Sequence, residues 1–366
     1  MILIHSKYLL FILLSITLVS CNDQVSTPSL LTVTLSAPHI QLIKTYEFDT
    51  KVTKHPFEGI SGIDYDNSTQ QYIAITDDKA EEGPARYYKF QLDKNFKISN
   101  IKEKELFDSS NQKFELKKVD AESIRYISPT KFIWASELGK DRPNVFIYDS
   151  VTGTNEELEL PEEVYPSKDL KFGSRKNNFI EGIAISPNKK YLLLSLEAPL
   201  IQDDNLPSLT KGGKTRVLVY DLKTLSFLTQ FFYYLDPIST KSTASPPLHD
   251  NGISEIMFIN ERTILVLERS GRHVGDFNFE FDNRVYSVNL EDIHLTKQQS
   301  AIPNKILQIE KKIFLDFSSI KGLEQPNLEA MTLGPKINDL TSLIFISDNN
   351  FNTLNKTKLL IFTLGF

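Results

Sequence analysis

The chain has 366 residues, 40% hydrophobic and 11% aromatic, which is enough to bury a large core and argues against intrinsic disorder. A formal net charge of −6 with no long basic block excludes nucleic acid as an expected partner. Cys21 is the only cysteine, so neither a disulfide framework nor a cysteine zinc site can form within the chain.

The first twenty residues read as an export signal. Lys7 gives the positive start, and residues 8–19 form an apolar stretch broken only by Ser15 and Thr17, too short for a comfortable membrane span. Leu18-Val19-Ser20-Cys21 then resembles the bacterial lipoprotein cleavage box, which predicts a lipid on Cys21. The expected product is attached to a bacterial membrane, periplasmic or at the cell surface. Residues 21–38 are polar and small with two prolines and read as a tether, leaving residues 39–366 as one domain.

From residue 39 onward the predicted elements are strands. HIQLIKTYEFDT (39–50) stands alone, and after it one unit recurs. Each unit begins with an acid, any residue, then Ile or Met, at Glu58, Glu122, Glu181, Glu255 and Glu329, in steps of 59 to 74 residues. A second apolar run ends in another acid: Asp77 after YIAIT, Glu137 after KFIWAS, Glu197 after YLLLSL, Glu268 after TILVL and Asp348 after SLIFIS. A third run opens at Arg86, Asn144, Arg216, Arg284 and Lys358, and a variable fourth follows, such as SFLTQFFYYLD or KKIFLDF.

Runs of Val, Ile, Leu, Phe and Tyr bounded by Gly, Pro, Asn and Asp, four to a unit, are the signature of propeller blades. The fold class is therefore all-β, a β-propeller of four-stranded antiparallel blades. The step exceeds the usual ~40–50 residues per blade. Long polar loops account for the excess with five blades; a degenerate sixth is the alternative. The last unit ends one strand short, and the spare strand at 39–50 is expected to complete it and close the ring.

In an antiparallel blade the start of the first strand and the end of the second lie at the same end, so the repeated acids should crowd one mouth. Like charges there raise one another's pKa unless cations intervene. A hard cation such as Ca²⁺ takes six to eight oxygen ligands and suits such a ring. The expected metal ligands are Asp77, Glu122, Glu137, Glu197, Glu255, Glu268 and Asp348, with Glu58, Glu181 and Glu329 as catalytic carboxylates. Arg86, Arg216, Arg284 and the loop residues Arg272 and His273 would hold the anionic oxygens of a substrate. The competing reading makes the Glu/Arg repeats latches between blades. No G-x-S-x-G elbow and no H-E-x-x-H occur, so a serine esterase and a zinc hydrolase lack a sequence anchor. Trp134 is expected in the core.

FEGISGIDYD, YIAITDD and ARYYKFQLD, with DAESIRY, EGIAISPNKKYLLLSLEAPL, NGISEIMFI, ILVLERS, NRVYSVNL, NLEAMTLGP and LIFISDNNF, together resemble the "esterase-like activity of phytase" family, or phytase-like domain proteins. The resemblance implies hydrolysis of a small-molecule ester or phosphate ester, with Ca²⁺ held by acidic residues of the channel. It carries over no invariant catalytic set. The alternative function is a noncatalytic propeller acting as a ligand- or protein-binding platform.

Overall fold

A computed structural model describes residues 39–48, 51–139, 142–275, 278–291, 307–352 and 355–365. The predicted signal, Cys21 and the tether lie outside the described residues. Within them there is no α-helix, only strands and two short 3₁₀ turns at Glu162–Val164 and Phe317–Ser319. No helix among the described residues is long and apolar enough to cross a membrane.

The strands form five antiparallel blades. After β1 (His39–Glu47), blade 1 holds β2 (Ile60–Asp66), β3 (Gln71–Thr76), β4 (Arg86–Leu92) and β5 (Ile98–Glu105). Blade 2 holds β6 (Ala121–Ser128), β7 (Lys131–Ser136), β8 (Asn144–Asp149) and β9 (Thr154–Glu157). Blade 3 consists of β10 (Ile180–Ile185), β11 (Tyr191–Leu196), β12 (Lys214–Asp221) and β13 (Ser226–Tyr234). Blade 4 is β14 (Gly252–Asn260), β15 (Thr263–Gly275), β16 (Asn278–Asn289) and β18 (Lys311–Asp316), while the short β17 (Leu307–Gln308) runs parallel to β13 on the edge of blade 3. Blade 5 is β19 (Leu328–Ile337), β20 (Leu340–Ser347) and β21 (Lys358–Gly365).

The spare N-terminal strand completes blade 5 as expected. It pairs antiparallel with β21 from His39↔Gly365 to Glu47↔Lys358, removing two unpaired edges at once. The innermost strands contact one another in a closed cycle, β2 to β6 to β10 to β14 to β19 and back to β2. Five apolar clusters fill the gaps between neighbouring blades. One of them joins blade 2 to blade 3 through Ile133, Val145, Ile183 and Leu194, and another joins blade 5 to blade 1 through Ile346, Ile361, Ile63 and Tyr88. Trp134 is fully buried, its Nε1 donating to Asn155 Oδ1.

Two features of the inner strands position the site. First, each pairing of innermost with second strand skips one residue at the same place: Ser61, Glu122, Glu181, Ser254 and Glu329 are the extra residues of five equivalent β-bulges. A bulge re-aims a side chain out of the ladder, and here it does so at one mouth of the ring. Second, Arg125 of β6 plugs the axis. Its Nε donates to Ile183 O at 2.6 Å, its Nη1 to Ile63 O at 2.5 Å, and its Nη2 to Ile256 O at 3.1 Å and Met331 O at 2.9 Å. One guanidinium thus satisfies carbonyls on the inner strands of all four other blades.

Candidate functional site

The mouth bearing the bulges collects the carboxylates. Asp120, Glu122 and Glu137 place one oxygen each within 4.8 Å of the others, and so do Glu137, Glu181 and Glu197, so Glu137 belongs to both groups. The cluster continues around the ring through Glu329, Asp348 and Asp77: Asp348 raises Glu329, and both raise Asp77. Glycines make the crowding possible. A Cβ on Gly252 would sit 2.7 Å from Glu197 Cγ, and Gly59, at φ +60°, would drive a side chain into Asp77 and Phe351.

Burial, then like charge, holds these acids above the ordinary carboxylate range. Desolvation first, then Glu197, pushes Glu137 up to about 8 although Phe179 N donates to it at 2.5 Å. Glu181 is raised well above its ordinary value by burial and then by Glu197, Glu137 and Glu329, and Glu122 likewise by burial and then Glu181 and Asp120. Glu197 and Glu329 lie at about 7 and Asp348 at about 6, each raised by burial and pulled back in part by Arg269.

Cations at the mouth are few. Lys79 Nζ lies 2.8 Å from Asp120 Oδ2. Arg269 pairs with Glu329, lies 3.6 Å from Glu197 Oε1 and donates to Asn327 Oδ1 at 2.9 Å. Its Nε is buried without an acceptor, and Asp77 Oδ1 is buried without a donor.

Of the sequence-predicted residues, the mouth brings together Asp77, Glu122, Glu137, Glu181, Glu197, Glu329 and Asp348. It does not gather the rest. Glu255 falls one residue past the bulge, at the position of Gly182 in blade 3, and turns into the axis to meet Arg125 Nη2 at 2.8 Å. Glu268 pairs with Ile253 in the ladder, so the mouth position of that blade passes to Arg269. Glu268 instead binds Lys311, Tyr233 Oη at 2.6 Å and Asn251 Nδ2 at 2.9 Å. Glu58 stands three residues before the bulge at Ser61, half-buried on the approach to β2.

The predicted substrate-binding arginines have carboxylate partners of their own. Arg86 is fully buried against Asp78 and the Tyr88 hydroxyl; Arg216 holds Asp203 at 2.5 Å; Arg284 holds Asp316 at 3.3 Å; Arg272 holds Asp282 at 2.5 Å and Glu280 at 2.7 Å. His273 packs on Phe279, ring centroids 5.1 Å apart.

Sequence reasoning passed over Asp120, Lys79, Asn178, which donates to Glu197 Oε2, and Asp250, whose charge raises Glu197 and Glu329; within RSGRH it chose Arg272 and His273 rather than Arg269. Asp120 stands two residues before the acid of its repeat, and Arg269 directly follows the acid Glu268, so aligning the repeats on the Ile/Met that follows each bulge would have found both. Beside the mouth a cavity of about 760 Å³ opens between blades 4 and 5, lined by Arg269, Asp250, Asn327 and Asp348 on its mouth side and by Phe279 and Phe281 of the projecting β15/β16 hairpin.

No curated protein matches the sequence. Solved structures with a similar fold include one described as "Structure of Dos1 propeller" (10% identity, 84% of this chain and 68% of that one, TM-score 0.37). Another is described as "Crystal Structure of the N-terminal Domain of Nup159" (9% identity, 90% and 96%, TM-score 0.37). Likenesses this loose carry no inference about this chain. The sequence profile described as "Phytase-like: Esterase-like activity of phytase" matches residues 55–351, from the approach to β2 into the acid-bearing loop after β20. With most of its length matched, the chain belongs to the phytase-like family.

Proposed function

We propose that the chain hydrolyses a small-molecule ester or phosphate ester at the acid-rich mouth, with Ca²⁺ as its cation. The observation that carries this is an excess of buried acid with too few cations: two carboxylate triads sharing Glu137, an Asp77 oxygen buried with no donor, and Asp120, which pairs with Lys79. A latch between blades would be balanced by cations, as Arg216 and Arg284 are balanced by acids. An all-oxygen donor set of carboxylates fits a hard cation. Asp120, Glu122, Glu137, Glu181 and Glu197 would hold it. When bound, it would neutralise the triads and polarise the ester oxygen.

The residues around it divide the remaining work. Glu329, at about 7, is matched to neutral pH and can take the proton of an attacking water on a carboxylate oxygen. Glu58 stands apart from the gathered carboxylates, half-buried on the approach to β2. Arg269 lines the cavity and keeps a buried Nε–H with no acceptor, and its guanidinium is suited to an oxygen that gains negative charge during the reaction. Desolvation of the mouth strengthens each of these interactions.

A screen of aryl esters and phosphate monoesters, run with Ca²⁺ and with chelator, tests the reading. Turnover that depends on Ca²⁺ and disappears in Glu137→Gln supports it. Absence of turnover, with no thermal shift on adding Ca²⁺, leaves the binding-platform alternative. We further propose, from the sequence, that residues 1–20 are removed and that Cys21 carries a lipid, tethering the domain outside the cytoplasm. Replacing Cys21 by Ser should then move the protein from the membrane to the soluble fraction.

A further inference from the structure

The cavity beside the mouth has two unlike walls. On one side Phe279 and Phe281, two residues apart on β16 and therefore on one face of the strand, line it with nearly parallel rings, centroids 6.4 Å apart and 24° between planes. Phe279 is 49% exposed, a large apolar surface left in water on a hairpin that projects past its blade. Across the strand pair Gly271 faces Phe281; Asp250 Oδ1 accepts from the Gly271 N–H at 2.9 Å, and the Arg269 guanidinium lies over the Phe281 ring, 5.9 Å from its centroid, so the open aromatic surface is that of Phe279. The rest of the lining is rich in amides: Asn350 and Asn355, with Asn327, whose carbonyl already accepts from Arg269, and Gln325, whose carbonyl accepts from Asn283 N at 2.7 Å.

The charges of this cavity do not recruit an anion. Lys356 is 3.0 Å from Glu47 and Lys358 is 2.9 Å from Glu324, so both lysines are paired with acids of the same lining. Arg269, at the inner end, is shared between Glu329 and Glu197. An organic phosphate with several charged groups would also meet the carboxylates of Glu47, Asp250, Glu324 and Asp348 in the same lining.

We propose that this cavity binds a neutral, polyhydroxylated ring, a carbohydrate, and that it forms the specificity pocket for the alcohol portion of the ester cleaved at the mouth. A sugar ring has the complementary character. Its C–H face is apolar and lies flat on an aromatic ring, and its hydroxyls both donate and accept, which side-chain amides match with one carbonyl and two N–H groups each. The volume falls within the ~300–1,000 Å³ of small-molecule clefts, where apolar walls supply burial and a few polar groups set orientation. Arg269 and Asp348 line the cavity and belong to the mouth, so a ligand seated on Phe279 and Phe281 extends its ester toward the acids.

The inference rests on the mouth being the reactive centre only for the role of the pocket, and binding tests it separately. Isothermal titration of the folded domain is run with malto-, cello-, xylo- and N-acetylchito-oligosaccharides, and with inositol hexakisphosphate as the polyanionic comparison. At least one neutral saccharide should bind, Phe279→Ala should weaken that binding tenfold or more with unchanged melting temperature, and Phe279→Tyr should retain it. Failure of every saccharide, binding indifferent to Phe279→Ala, or binding of inositol hexakisphosphate alone overturns the proposal. Saccharide binding without hydrolysis of any ester keeps the pocket and removes the hydrolase reading; hydrolysis of aryl esters without saccharide binding does the reverse.

Discussion

The axis of this propeller carries buried charge at two levels, and the two are handled in opposite ways. Around Arg125 one cation meets the carbonyls of four inner strands and the Glu255 carboxylate, so each donor has an acceptor. At the mouth, acids outnumber cations and Asp77 Oδ1 is buried with no donor. Both Glu255 and Glu137 are pushed to about 8, and in both the largest cause is burial. They differ in the next contribution: Arg125 pulls Glu255 down, whereas Glu197 pushes Glu137 further up. Compensation marks a charge that holds the ring together; its lack marks one that awaits a cation or a proton.

The sharpest way to break this contrast is to remove the plug. Arg125→Met strands Glu255 in the core and leaves carbonyls of four blades without a donor, and should cost about 3–5 kcal/mol in urea unfolding. Adding Glu255→Met should recover only part, because the carbonyls remain unpaired. Full recovery would mean that the guanidinium serves Glu255 alone. Glu137→Gln should act in the opposite direction. With chelator present and at pH 9, above the Glu137 value of about 8 where its carboxylate is charged, it relieves repulsion in both triads and should raise stability by about 1 kcal/mol. It should also abolish the gain on adding Ca²⁺, about 2.7 kcal/mol at a hundredfold excess over Kd.

Proton uptake gives the third test. A carboxyl whose folded pKa lies above its unfolded value binds more protons when folded, so stability is fullest below the ordinary value and falls as pH rises. Asp348 at about 6, Glu197 and Glu329 at about 7 and Glu137 at about 8 place the fall between roughly pH 4.5 and 8. The chelated protein should therefore melt lower at pH 8 than at pH 5, by on the order of 1–2 kcal/mol in stability. Ca²⁺ should erase the difference, since the cation replaces the protons. A chelated protein that becomes more stable over that interval would show the mouth to be compensated like the plug.

Much of this architecture was legible. Runs such as KFIWAS and YLLLSL are β7 and β11 in register, the spare strand at 39–50 is β1, and the long repeat step is loop rather than a sixth blade among the described residues. What the pattern concealed is one residue of offset. Side-chain direction alternates along a strand, so a bulge or a one-residue slip decides which side an acid faces. Phe57-Glu58-Gly59-Ile60 imitates Ile180-Glu181-Gly182-Ile183, yet Ile60 pairs as Ile180 does, which makes Ser61 the counterpart of Glu181. In blade 4 the acid and the bulge part company, sending Glu255 to the plug and Glu268 outward. Composition cannot reveal this, because the residue types are unchanged.

The smallest effect separates two arginines three positions apart in RSGRH. Arg272 holds Asp282 and the exposed Glu280 on the outer hairpin, and pairs of that kind contribute about 0–1 kcal/mol and weaken with salt. Arg272→Gln should change stability within that range and leave the Ca²⁺-induced shift intact. Arg269→Gln removes the guanidinium that restrains Glu197, Glu329 and Asp348, so their pKa values should rise further and the pH-dependent fall should move to higher pH. Carboxyl titrations followed by NMR in both variants would read this directly. Equal responses would dissolve the distinction between mouth and periphery, because Arg269 would then be one more surface cation and blade 4 would carry no exception to the acid ring.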